Sequence, residues 1–261
     1  MELNTHEEFV ELSNAKLYVK CWKPKHNTNL TPIILFHDSL GSVELWRGFP
    51  ERLCRTLKRP VIAYDRWGYG KSSPRESTLE LTFIQDEVTT HLSELIEKLK
   101  LHRFALYGHS VGGAMAIVGA ALKSELCDFV ISESAQSFVE ERTLQGIKKA
   151  RASFRSPDLF SRLSKYHGDK AAWVLKAWTE TWLAEEFRDW SLRSYLPQVK
   201  CPVLAIHGDN DEFGSVNFPK LICELAGASS RMLLLEDCGH VPHNECESQV
   251  FEEISRFVES L

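Results

Sequence analysis

The sequence lacks several features that would place it in other classes of protein. No apolar run among its 261 residues approaches the roughly 18 residues that a membrane-spanning helix needs. Its seven cysteines are scattered, odd in number and never spaced as Cys-x-x-Cys, which argues against a disulfide framework and against a zinc site. Repeats and low-complexity tracts are also missing. We therefore expect a globular chain with free thiols and no resident metal.

The chain also has no long run of charges of one sign. Lys and Arg number 31 against 36 Asp and Glu, so the net charge is −5, and this balance disfavours a nucleic acid or a membrane as partner. Residues 1–8 have neither a positive start nor an apolar stretch, so they do not resemble a signal peptide. We expect a cytoplasmic protein that acts on a small-molecule substrate and needs no cofactor, with a homodimer compatible with the sequence.

Short apolar runs alternate with helical patterns along most of the chain. Two runs near the N-terminus, 8–13 and 17–22, predict an antiparallel hairpin. Six further strand-like runs follow, at 32–37, 60–64, 103–107, 129–131, 203–206 and 232–235. Between them lie segments with helical spacing, including 43–57, 92–99, 111–123 and 247–260. Continuously apolar strands separated by helices predict an α/β fold with a mostly parallel, eight-stranded sheet covered by helices on both faces.

Residues 135–197 interrupt this alternation. They show helical periodicity rich in Phe and Trp and no strand, so we predict a helical cap inserted between strands 6 and 7 of a core formed by 1–134 and 198–261. Trp178 and Trp182 are the candidates to line an apolar pocket under the cap, with Trp46 and Trp67 of the core as further candidates. The alternative is that such aromatics only pack the insertion against the core.

The strongest chemical signal is the sequence Gly108-His109-Ser110-Val111-Gly112. It follows a predicted strand and opens a predicted helix, which is the context of a Gly-x-Ser-x-Gly nucleophile elbow. A serine there adopts a strained turn that exposes its hydroxyl, and the two glycines let neighbouring backbone pass closely. Ser110 is therefore the predicted nucleophile, and a helix-capping serine is the alternative.

A serine hydroxyl needs a base, and the base needs a carboxylate. His240 follows the last predicted strand and is the predicted base, whereas His243, three residues on, is interpreted as a capping or packing histidine. Asp209 and Asp211 both follow the strand 203–206, and the order serine, acid, histidine suits this architecture.

Taken together, these motifs resemble the α/β-hydrolase family over roughly the whole chain. The family's Gly-x-x-Asp pattern falls on Gly208 and Asp211, so the resemblance implies Asp211 as the acid, with Asp209 as the alternative. Some members take the acid from the loop after the preceding strand, where this sequence has Glu133.

The resemblance also implies an oxyanion hole built from the backbone N–H groups of Ser39 and Val111. Asp38 stands where the family usually has glycine, and it is interpreted either as an acceptor of local N–H bonds or, with His109, as part of the substrate pocket. The stretch from Asp38 to Ser42 followed by Trp46 is similar to bacterial enol-lactone hydrolases.

The function that follows is an expectation. A Ser-His-Asp triad would cleave a small, largely apolar ester or lactone through an acyl-enzyme. Because a triad does not fix the reaction, the alternatives are a carbon–carbon bond hydrolase or lyase, and a ligand receptor with slow residual hydrolysis.

Overall fold

The described residues, 2–26 and 28–261 of this computed structural model, contain eight strands that form one sheet. The strands are β1 (Leu3–Glu11), β2 (Lys16–Pro24), β3 (Ile33–Phe36), β4 (Val61–Tyr64), β5 (Phe104–His109), β6 (Cys127–Glu133), β7 (Val203–Gly208) and β8 (Ser230–Leu235). Their order is β1-β2-β4-β3-β5-β6-β7-β8, with β2 antiparallel to both β1 and β4 and all other neighbours parallel. The prediction of a mostly parallel α/β sheet is confirmed.

Helices surround this sheet, and several of them cover its two faces. They are α1 (Phe49–Leu57), α2 (Phe83–Asp86), a π-helical segment (Glu87–Leu92), α3 (Ser93–Lys98), α4 (Val111–Leu122), α5 (Glu141–Ser153), α6 (Pro157–His167), α7 (Ala171–Leu183), α8 (Asn217–Leu225), α9 (Pro242–Glu245) and α10 (Glu247–Glu259). The prediction of one helix over 43–57 is wrong, because a φ of 51° at Arg47 separates a short 3₁₀ turn (Val43–Trp46) from α1.

Alternate side chains of the central strands enter two separate apolar layers. Ile34 and Phe36 of β3 belong to the layer that contains α4, whereas Ile33 and Leu35 belong to the layer that contains α1 and α10. All four side chains are fully buried because strand side chains alternate between faces and helices cover both faces.

Three helices, α5 to α7, lie between β6 and β7, with an isolated bridge between Phe138 and Ser191. His167 at the end of α6 joins this segment to the core: its Nδ1 accepts the N–H of Gly70 at 2.9 Å, and its Nε2 lies 2.9 Å from the carbonyl oxygen of Leu40. Trp182 of α7 belongs to the same apolar cluster as the sheet. The division into a core and a separate cap stays a prediction, since the two share packing.

The start of α4 approaches the end of β3 so closely that only glycine fits. A Cβ atom on Gly112 would lie 2.2 Å from the carbonyl oxygen of Phe36 and 2.7 Å from that of His37. A Cβ atom on Gly108 would lie 1.9 Å from the carbonyl oxygen of Gly112. The two glycines of the motif therefore let the strand–turn–helix unit pack against the loop that follows β3.

A second constraint is a buried polar cluster beside α4. The hydroxyl of Tyr64 donates to Glu87 at 2.8 Å, and Nδ1 of His91 lies 3.0 Å from the other oxygen of that carboxylate. Burial opposes ionisation of Glu87, but the charge and hydrogen bond of His91 outweigh it and hold its pKa at about 2. Burial likewise opposes the charge on His91, and Glu87 more than offsets this, so the pKa of His91 is raised.

Replacing Gly112 with alanine is expected to lower the free energy of unfolding by about 3 kcal/mol, because the added methyl group meets backbone that cannot move without displacing β3. Urea unfolding followed by circular dichroism measures this loss. Gly48→Ala is the matched control, since Gly48 has a φ of −81° and a Cβ atom there meets nothing within 4 Å. Equal stabilities for Gly112→Ala and the wild type would contradict the close packing.

Glu87→Gln is expected to cost about 3 kcal/mol of unfolding free energy, with a defined pH dependence. The lowered pKa of Glu87 gives stability that is present above its ordinary value of 4.5 and is lost as the pH falls toward about 2. The raised pKa of His91 gives stability that is present below its ordinary value of 6.5 and is lost as the pH rises through the folded value.

The unfolding free energy lost in Glu87→Gln should therefore be largest between pH 4.5 and 6.5 and smaller in alkaline solution. Urea unfolding at about pH 5.5 and about pH 9 tests it. Glu97→Gln, an exposed position on the same helical stretch, serves as the control. A pH-independent cost would show that the ion pair does not carry the effect.

Candidate active site

Ser110 lies on the sharp turn between β5 and α4. Its backbone has φ 57° and ψ −126°, a conformation that L-residues rarely adopt, and its N–H donates to the carbonyl oxygen of Glu133 at 2.8 Å. The residue is only 5% exposed and lines a cavity of about 190 Å³. The turn therefore presents the side chain of Ser110 to an enclosed space.

His240 and Asp211 meet at the same cavity from the loops after β8 and β7. Nδ1 of His240 lies 2.8 Å from Oδ2 of Asp211, and the other carboxylate oxygen accepts the N–H of Phe213 at 2.7 Å. Asp211 is fully buried, and burial raises its pKa, but the charge and hydrogen bond of His240 outweigh this and leave the pKa below its ordinary value. The carboxylate therefore stays ionised and fixes the imidazole with Nδ1 as the donor.

The imidazole of His240 lines the same cavity as Ser110. Nε2 of Gln136 donates to Oγ of Ser110 at 3.5 Å, while no hydrogen bond joins Ser110 to His240 within the described residues. Hydrogen bonds between a nucleophile and its base are often long in the absence of substrate and tighten in the complex with substrate.

The other candidate acids have different partners. Glu133 is fully buried, and it accepts the hydroxyl of Tyr107 at 2.6 Å and the backbone N–H of His243 at 2.6 Å. Its second oxygen lies 2.9 Å from Nδ1 of His243, whose position fits the packing role predicted for it. The N–H of Asp209 donates to the carbonyl oxygen of Leu235, and its carboxylate makes no contact with His240 in the described chain.

Two backbone N–H groups near Ser110, those of Val111 and Ser39, were predicted to form an oxyanion hole. Val111 is the first residue of α4, so its N–H has no carbonyl within the helix to bond. Neither this N–H nor that of Ser39 donates to another group in residues 2–26 and 28–261. Two N–H groups without a partner at this end of the site are compatible with the predicted oxyanion hole, which stays a prediction.

Asp38 stands at the edge of this cavity and is paired with His109. The carboxylate accepts the N–H of Leu40 at 2.8 Å, and its other oxygen lies 3.6 Å from Nδ1 of His109. Burial opposes the charge on His109, but Asp38 and Glu133 outweigh it and raise its pKa to about 9. The imidazolium then donates through Nε2 to the carbonyl oxygen of His240 at 2.7 Å. His109 thus connects the loop that carries His240 to the loop after β3, and it does not line the cavity.

Two of the four tryptophans predicted as candidates line the cavity, and two do not. Trp178 and Trp182 line it, whereas Trp46 is buried among Phe49 and Tyr107 on the other face of the sheet. Trp67 donates to the carbonyl oxygen of Pro74, outside the cavity. Sequence reasoning did not single out several further residues that line it: Leu40, Gln136, Thr143, Ile147, Ala150, Phe154 and Phe213. Two of these residues could have been identified from the sequence by their positions. Gln136 follows β6, and Phe213 lies two residues after Asp211.

No cluster of three or more His, Cys, Asp or Glu side chains in the described residues is arranged to hold a metal ion. Across the same residues, no helix combines the length and the apolar character that crossing a membrane demands.

Comparison with known proteins gives a consistent assignment. The sequence model of the alpha/beta hydrolase family matches residues 33–253. The chain is 23% identical to a proline iminopeptidase of Lactobacillus crispatus (strain ST1) over an alignment of 273 residues, covering 88% of this chain and 90% of that protein.

Solved structures resemble the fold over nearly the full length. The enol-lactonase of Burkholderia xenovorans LB400 superposes with a TM-score of 0.70 at 18% identity, covering 97% of this chain and 100% of that one. A bacterial membrane phospholipase A superposes with a TM-score of 0.76 at 19% identity, covering 98% and 86%. With a family match across most of its length and a sheet of this topology, the chain belongs to the alpha/beta hydrolase family, and it is a hydrolase.

Proposed function

We propose that the protein is a serine hydrolase that cleaves a small, largely apolar ester or lactone through an acyl-enzyme. The observation that carries the proposal is the 2.8 Å contact between His240 and the buried Asp211, made at the cavity that Ser110 lines from a strained turn. A hydroxyl and an imidazole at one cavity, with a buried carboxylate that orients the imidazole, suit nucleophilic catalysis.

In this mechanism Oγ of Ser110 attacks the acyl carbonyl while Nε2 of His240 takes its proton. The carbonyl oxygen becomes an oxyanion held by the N–H groups of Ser39 and Val111. When the tetrahedral intermediate collapses, His240 returns the proton to the leaving alkoxide, and the acyl group stays on Ser110. Water, deprotonated by His240, then attacks the acyl-enzyme and releases the acid. Asp211 stabilises the imidazolium in both steps.

The size and the wall of the cavity favour a substrate with a small acyl group. Its volume is about 190 Å³, which is less than most sites for drug-sized ligands provide. The wall away from the triad is mainly aliphatic and aromatic, with Ile147, Phe154 and Trp178 among its members. Such a wall favours a short apolar chain, because burying it removes apolar surface from water.

Carbon–carbon bond hydrolysis or elimination at the same triad remains an alternative, since the three residues alone do not fix the bond that breaks. A receptor with slow residual turnover is distinguished by a single turnover followed by retention of the product. A panel of chromogenic esters, lactones, thioesters and vinylogous diketones therefore assigns the reaction class.

Ser110→Ala is expected to lower turnover of 4-nitrophenyl butyrate by at least about 10³-fold, because the nucleophile is removed. Release of nitrophenolate measures the rate, and mass spectrometry of the wild type with excess substrate should show one butyryl group on Ser110. Ser134→Ala is the control, since this buried serine after β6 lies outside the cavity. Undiminished hydrolysis by pure Ser110→Ala would end the proposal.

Asp211→Asn is expected to lower kcat by about 10²- to 10⁴-fold with a smaller change in KM, because His240 loses the anion that orients it and stabilises its charge. The same assay with Asp209→Asn, the competing carboxylate, should stay within a few-fold of the wild type. A large loss from Asp209→Asn and a small loss from Asp211→Asn would reassign the acid.

A further inference from the structure

A second, larger cavity adjoins the candidate active site. Its volume is about 530 Å³, and it lies between α5 and the loop after β7. Ala150 and Phe213 belong to the walls of both cavities, so the two spaces are neighbours across these side chains. Nothing in the mechanism above uses this second space, which we call the α5 groove.

Arg142 and Lys149 of α5 give the groove its charge. Together with Gly146 they follow the spacing of one helix face, so both cations lie on the side that lines the groove. Both side chains are exposed, and neither forms an ion pair within the part of the chain that the structure describes. One carboxylate, that of Glu212, lines the opposite wall. Two cations against one anion leave the groove positive on a chain whose net charge is −5.

Close packing fixes this face of α5 against the loop that carries Phe213. A Cβ atom on Gly146 would lie 2.7 Å from the carbonyl oxygen of Glu212 and 2.9 Å from the ring of Phe213. The missing side chain at position 146 therefore brings the helix onto the loop, with Arg142 one turn before the contact and Lys149 one turn after it.

The position of His240 decides which part of a substrate reaches the groove. The ring centroids of His240 and Phe213 lie 4.8 Å apart. In the proposed mechanism His240 gives its proton to the leaving oxygen, so the alcohol part of the ester lies on the side of His240 and Phe213. An alcohol that extends past Phe213, which lines both cavities, comes to the wall that carries the two cations, while the acyl group lies in the apolar cavity.

We propose that the α5 groove is a subsite for a phosphate group on the alcohol portion of the ester substrate. The inference rests on the proposed serine hydrolase function and specifies its substrate class. A phosphate monoester carries about −1.5 to −2 charges at neutral pH, which matches one Arg and one Lys, and charge-assisted hydrogen bonds to phosphate are strong. The reaction consumes one water and yields the free acid and the phosphorylated alcohol, with no change of oxidation state.

The test compares two esters that differ only in the phosphate: 4-hydroxybutyl butyrate and its phosphate monoester, 4-(phosphonooxy)butyl butyrate. Titration of the released acid measures hydrolysis. The wild type is expected to cleave the phosphorylated ester with a kcat/KM about tenfold higher, mainly through a lower KM. This preference should shrink as the salt concentration rises, because the groove is open to solvent.

The double variant Arg142→Gln with Lys149→Gln should remove this preference and leave kcat/KM for 4-hydroxybutyl butyrate within about twofold of the wild type. Arg162→Gln with Lys165→Gln is the matched control, since it removes the same charge from exposed positions on α6 that do not line the groove. If both double variants act alike, a general effect of net charge accounts for the result and the subsite is disproved.

Equal kcat/KM for the two esters in the wild type would also overturn the subsite, while the proposed hydrolase function would stand because both esters are cleaved. If the wild type hydrolyses neither ester, the proposed hydrolase function itself is refuted. Inorganic phosphate provides the final comparison: it should inhibit the wild type more strongly than the double variant, and equal inhibition would place the phosphate elsewhere.

Discussion

The candidate site depends on how closely two backbone segments approach each other at the start of α4. Gly112 touches the carbonyl oxygens at the end of β3, and the strained turn at Ser110 is held by the hydrogen bond from its N–H to Glu133. This approach brings the loop that carries Ser39 to the cavity that Ser110 lines, next to the first residue of α4, Val111. A larger residue at position 112 would separate them, so the geometry of the site is set by the absence of a side chain.

Buried charged side chains connect the other loops of the site to one another around this turn. His109 lies between Asp38 on one loop and the carbonyl oxygen of His240 on another, and its raised pKa keeps it cationic at neutral pH. Behind it, Glu133 ties β6 to His243. Removing one partner of such a buried pair leaves an uncompensated charge, so these contacts between loops are costly to break one side chain at a time.

The departure from glycine at position 38 fits this network. Asp38 was interpreted as an acceptor of local N–H bonds or as part of the pocket, and its carboxylate accepts the N–H of Leu40 beside the imidazolium of His109. His167 holds the carbonyl oxygen of the same Leu40 from the helical segment above. A hydrogen bond therefore links the helical segment to the loop that carries Ser39.

The sequence by itself determined the features that depend on local chain chemistry. Apolar strands between helices predicted the sheet, and glycine on both sides of Ser110 predicted the turn, because backbone sterics act between near neighbours. The resemblance favoured Asp211, but only the tertiary structure shows that Asp211, and neither Asp209 nor Glu133, contacts His240, since all three lie at the carboxyl ends of strands at one edge of the sheet. It alone decided that Trp182 lines the cavity and Trp46 does not, because an aromatic at helical spacing suits either face. Partner choice and orientation depend on contacts between distant segments, and no local pattern records them.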